Sequence, residues 1–69
     1  MITLEARCRS GHYLAAVVPI MDKHLRTEYR VLVFRQGHEV YDETERSLEE
    51  AIETAKAYLD WRTEQDLDS

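Results

Sequence analysis

The chain predicts an α+β domain: a small antiparallel four-stranded meander with one C-terminal helix packed on one face (β-β-β-β-α). Three observations carry this. Ile2, Leu4, Ala6 and Cys8 alternate with Thr3, Glu5, Arg7 and Arg9, the period-2 signature of a strand with one buried face. Two glycine turns, Arg9-Ser10-Gly11 and Arg35-Gln36-Gly37, separate runs rich in β-branched and aromatic residues. From Ser47 the apolar period changes to three and four, as a helix requires.

The first strand ends at the Arg9-Ser10-Gly11 turn, where glycine supplies the positive φ of a three-residue hairpin loop. Residues 12–21 are almost wholly apolar. Pro19 would break a helix interior there, and the preceding turn favours pairing back, so this run reads as a strand with Pro19 at its edge or end. Residues 21–27 are a polar connection, and 28–35 form a third strand through Tyr29, Val31, Leu32, Val33 and Phe34. After Gly37 the return strand runs through Val40 and Tyr41.

Ser47-Leu48-Glu49-Glu50 fits a capping box, with the Ser47 hydroxyl serving a free amide of the first turn. Leu48, Ala51, Ile52, Ala55, Tyr58 and Leu59 then build an apolar stripe, and Glu49, Glu53, Asp60 and Glu64 gather opposite it. Acids crowd the C-terminal end of the helix, where the macrodipole disfavours them, which predicts a frayed acidic tail over about 63–69.

A chain of 69 residues is one domain, 1–69, with a thin core and marginal stability. Cys8 is its only cysteine, so no internal disulfide is possible, and a lone thiol suits a reducing cytoplasm. The opening MITLEARC lacks the pattern of a signal peptide, and no apolar run approaches the ~20 residues that span a bilayer. The net charge of −5 is uneven: residues 1–38 carry +3 and residues 39–69 carry −8. An acidic second half argues against general nucleic-acid binding.

With three-residue loops, Ile2, Leu4, Ala6, Cys8, Leu14, Ala16, Val18, Leu32, Phe34 and Val40 share the face expected to lie under the helix. The helix-free face then carries Tyr13, Ala15, Val17, Tyr29, Val31, Val33 and Tyr41. A two-residue loop would exchange some members. In either register one helix cannot cover both faces. Covering ~400 Å² of such a patch is worth roughly 10 kcal/mol before association costs of similar size. The candidate partner-binding residues are therefore Tyr13, Val17, Tyr29, Val31, Val33 and Tyr41, with Trp61 added because it sits off the helix stripe.

No constellation points to catalysis. Ser10, Ser47 and Ser69 stand at a turn, a cap and a terminus, and the two glycines are too far apart for a phosphate loop. Cys8, His12, His24 and His38 match no metal-ligand spacing. No cofactor, metal or small-molecule ligand is predicted.

One resemblance stands out. Ser47-Leu48-Glu49-Glu50-Ala51 after a strand, with Gly11-His12-Tyr13 leading to Val18-Pro19, resembles the HicB-like antitoxin domain over roughly a third of the chain. That likeness implies a small sheet-plus-helix fold that binds and masks a small toxin; it carries no site residue over. An added hairpin over 29–41 separates the chain from the family pattern.

The sequence thus predicts a small cytoplasmic interaction or regulatory module that acts by binding, self-associating as a homodimer through the helix-free sheet face. Two alternatives use other features. A nucleic-acid binder would stack bases on Tyr13, Tyr29 and Tyr41 beside Arg7, Arg30 and Arg35, and an acidic inhibitor would present Glu49, Glu53, Asp60 and Glu64 to a basic protein.

Overall fold

Four strands, β1 (Ile2–Cys8), β2 (Gly11–Met21), β3 (Thr27–Arg35) and β4 (His38–Glu45), pair antiparallel in the order β1-β2-β3-β4, and helix α1 (Leu48–Leu67) follows. This is the α+β meander the sequence predicts. The structure, a computed structural model, describes residues 1–9 and 11–67.

Both hairpins turn more tightly than three-residue loops would. Cys8 pairs with Gly11 and Arg35 with His38, which leaves two residues in each connection. In the second, Gln36 (φ 49°) and Gly37 (φ 86°) both take positive φ, the type I′ geometry that matches the strand twist. Gly11 has a different constraint. Its φ is 141°, and a Cβ there would lie 3.3 Å from the Gln36 side chain. The two hairpin ends lean together at that point, where the Gln36 amide donates to the His12 carbonyl at 3.0 Å.

The β2–β3 connection is organised by Asp22. Its Oδ1 accepts the amides of His24 (2.8 Å) and Arg26 (2.9 Å), an arrangement that carries Leu25 through φ 60°. Pro19 pairs with Tyr29 of β3, past Val17, the last β2 residue opposite β1. A residue without an amide therefore sits where β2 has no neighbour on its β1 side.

Helix α1 starts as predicted, with the Ser47 hydroxyl accepting the Glu50 amide at 3.1 Å. Ser47→Ala should lower stability by about 1 kcal/mol. In a domain of this size that is a fall in Tm of about 4–8 °C, readable in a thermal melt. The helix continues past Arg62, where fraying was expected. Thr63 Oγ1 donates to the Leu59 carbonyl at 2.8 Å and Arg62 Nε donates to Tyr58 Oη at 3.2 Å, and these bonds tie down the final turns. Of the expected frayed tail, 68–69 lies outside the described residues.

On β2 and β3 the helix covers the face opposite to the one expected, while Leu4, Ala6 and Cys8 of β1 lie on the helix side as expected. Ala51, Ala55 and Leu59 are buried against Tyr13, Ala15, Val17, Val31 and Val33, with Leu4, Ala6, Cys8, Tyr29, Tyr41 and Tyr58 packed around them. The reason is loop length. Two-residue loops pair Leu4 with Ala15 and Ala6 with Tyr13, so the apolar side of β1 joins the odd-numbered side of β2. In β4 a bulge falls between the positions opposite Val33 and Phe34, so Val33 faces Tyr41 while Phe34 faces Glu39 and Val40 is left over. The face that carries the odd-numbered residues of β2 and β3 is then the one that also gains Leu4, Ala6 and Cys8 of β1 and Tyr41 of β4, and the helix takes it. Ala51 and Ala55 are both fully buried, and their small side chains let the helix backbone come close to the sheet.

Candidate functional site

The residues expected to meet a partner mostly form the core. Tyr13 (3% exposed), Val17, Val31 and Val33 are buried beneath the helix, and Tyr29 and Tyr41 are half-buried at its margin. These six are corrected from an open surface to the helix-covered one. The tyrosines therefore do not line an uncovered platform. Trp61 stays 46% exposed, on the helix rather than on the open sheet face. Its ring meets Tyr58 edge-on at 5.8 Å, Tyr58 lies 4.7 Å from Tyr41, and the Arg62 guanidinium stands 4.5 Å over Trp61. Burial, together with Glu43 and Glu45, holds the Tyr41 phenol above its ordinary pKa.

The uncovered face is built by the residues expected to be core. The register aligns Thr3, Ala16, Leu32 and Asp42 in one row across the sheet and Glu5, Leu14, Phe34 and Glu39 in the next. Val18, Arg30 and Thr44 form a third. The two central strands thus present Leu14, Ala16, Val18, Leu32 and Phe34, and Ile20 extends the strip. No part of the chain packs over this strip among the described residues, yet its members are mostly half-buried, because long neighbours on adjacent strands shield one another. Ala16, the smallest, is 8% exposed between its taller neighbours.

Polar side chains frame the strip. Arg30 makes a two-pronged bond to Asp42, Nε to Oδ1 at 2.9 Å and Nη2 to Oδ2 at 2.5 Å. This hydrogen-bonded pairing holds the Asp42 carboxyl below its ordinary pKa. On the other side, His12 Nε2 lies 3.4 Å from Glu5 Oε2, an ion pair when His12 is protonated. The frame therefore carries opposite charges side by side. The rest of the surface is less balanced: Glu43 and Glu45 on β4 and Glu49, Glu50, Glu53, Asp60 and Glu64 on α1 make it acidic.

Cys8, His12, His24 and His38 are not brought together. Cys8 points to the helix side, with its thiol 3.5 Å from the Gly11 carbonyl, and His24 lies in the loop at the far end of β2. Among the described residues no group of three or more His, Cys, Asp or Glu converges as a metal site would require. A depression of about 190 Å³ lined by Asp22, Arg26, Thr27, Glu28 and Arg46 is smaller than the usual small-molecule pocket of roughly 300 Å³ or more. No helix among the described residues is long and apolar enough to cross a membrane.

Structurally, then, this is a small α+β domain with one sheet face under a helix and the other framed by charge but uncovered. Compared with family models, curated proteins and solved structures, the chain matches none of them.

The sequence signal that could have located the open face lies in the edge strands. Thr3, Glu5 and Arg7 on β1 and Asp42 and Thr44 on β4 are all polar, and in the two-residue register they fall on one side of the sheet. A face flanked by polar edges is the one left to solvent or to a partner.

Proposed function

We propose that this protein acts by binding, as a small interaction or regulatory module whose open sheet face docks on a second copy of the chain. The observation that carries this reading is the uncovered strip of Leu14, Ala16, Val18, Leu32 and Phe34 inside a polar frame. An apolar centre with a polar rim is the usual anatomy of an interface.

Charge favours a copy of the same chain as occupant. The Arg30 and Asp42 side chains neutralise each other within one chain, so docking strands neither of these two charges in a dry interface. The acidic helix and β4 of two copies repel one another. Area sets the strength. Strands of seven to eleven residues, at a rise of ~3.3 Å and a spacing of ~4.8 Å, give a face on the order of 500 Å². Two such faces bury on the order of 1,000 Å², the lower end for a specific interface. Association is therefore modest and concentration-dependent.

Sedimentation over a concentration series tests this. The 8.2 kDa chain should shift to a heavier species as concentration rises. Phe34→Glu should move that shift upward at least about tenfold, the effect of ~1.4 kcal/mol, with helix content by circular dichroism unchanged. A wild-type chain that sediments as a single subunit throughout, or a Phe34→Glu variant that associates like wild type, overturns the reading.

A further inference from the structure

The sheet has two edges, and they differ. The β4 edge carries a bulge at Val40 and four acids, Glu39, Asp42, Glu43 and Glu45. A bulge and like charges are the usual means by which an edge resists pairing. The β1 edge is regular over all seven residues and alternates in sign, with Glu5 and Arg7 two positions apart on the open face.

The parity of β1 is known. The His12 carbonyl accepts the Gln36 amide, so His12 turns its backbone groups toward the β3 side. Its cross-strand partner Arg7 must then turn its own outward, away from β2. The same holds for Glu5 and Thr3, two and four residues back. Three residues on an open edge thus present amides and carbonyls to the outside. On the helix side of this strand Leu4, Ala6 and Cys8 are each only half-buried, because the core stops at β1.

We infer that the β1 edge pairs antiparallel with β1 of a second copy, in the register that sets Ala6 opposite Ala6 of that copy. This register meets three conditions at once. It places the outward-facing residues opposite one another, so their backbone groups bond. It sets Glu5 against Arg7 of the second copy and Arg7 against its Glu5. It also brings Leu4 beside Cys8 of the second copy, continuing the half-covered core across the seam. Shifting the centre by one residue to Glu5 keeps the backbone match but opposes two carboxylates; centring on Leu4 leaves Glu5 against Thr3. The small Ala6 at the two-fold axis lets the two strands approach at the sheet spacing.

The edge and the face share the side chains of Glu5 and Arg7 but otherwise use different groups, backbone on the one and the strip of Leu14, Leu32 and Phe34 on the other. The edge axis runs perpendicular to the sheet and the face axis runs parallel to it, between the stacked sheets; where the two intersect they close an assembly of four chains, two eight-stranded sheets face to face.

Cross-linking reads the register directly. In a Cys8→Ser background, Ala6→Cys should form an interchain disulfide on mild oxidation, since facing residues of a non-hydrogen-bonded pair lie within disulfide reach. Leu4→Cys in the same background should not, because its neighbour across the seam is residue 8. Charge provides the second arm, in the Phe34→Glu background that removes the face. There Glu5→Arg or Arg7→Glu alone should weaken the residual dimer at least about tenfold, and Glu5→Arg with Arg7→Glu should restore it. A Phe34→Glu chain that is a single subunit at every concentration overturns the edge proposal. So does equal cross-linking at residues 4 and 6, or a double reversal no better than the singles. Unaltered association on Phe34→Glu, with these edge results intact, instead sinks only the face.

Discussion

Val31→Glu unfolds the chain, with helix content lost in water at 25 °C, whereas Leu32→Glu, one residue on, leaves it intact. Val31 is fully buried between the sheet and α1, opposite Val17 on β2 and Glu43 on β4. A carboxylate there has no cation within the core, since no buried residue among those described is polar or charged. Either the charge is stripped of water or the group binds a proton and is still an unpartnered polar atom; the cost is several kcal/mol. Small domains have ~5 kcal/mol or little more to lose. Leu32 faces the other way, half-exposed, beside Ala16 and Asp42. A carboxylate there keeps its water, so circular dichroism should show a folded chain while sedimentation shows weakened association. The reverse pattern would move the helix to the other face.

Ala55→Leu should cost about 1–3 kcal/mol and lower Tm by about 10 °C in a thermal melt. Ala51 and Ala55, one helical turn apart, are completely buried against the sheet. Three further heavy atoms at Ala55 have no space unless the helix lifts away from Val31 and Val33, and that motion exposes the valines. Ala57→Leu, at an exposed position of the same helix, is the control and should leave Tm nearly unchanged. Equal melting of the two variants would mean that the helix rides well above the sheet.

The elements were legible in the sequence because each is declared locally. Alternation marks β1, Ser47 marks the start of α1, and Gly37 marks a turn whose type needs positive φ. The identity of the buried face was not legible, because it depends on parity. Arg9-Ser10-Gly11 reads equally as a loop of three with Gly11 inside it or as a loop of two with Gly11 already paired, and that single residue exchanges the partners of every β1 side chain. The bulge at Val40 adds a second slip that nothing in His38-Glu39-Val40-Tyr41 announces. The surplus of apolar sheet surface survives both changes, since β2 and β3 are apolar on both sides in any register. Its members do not: Leu14, Val18, Leu32 and Phe34 replace Tyr13, Val17, Val31 and Val33.

Pro19 has a consequence for any polypeptide joined ahead of Met1. Beyond Val17 the strand β2 runs on with an empty flank, and a preceding segment continuing in line with β1 would reach that flank first. Pro19 offers it no hydrogen there, so the added segment finds a gap in the ladder at the first residue it tries to match. A purification tag or fused domain should therefore hang loose instead of zipping onto the sheet, and N-terminal fusions should leave the fold undisturbed.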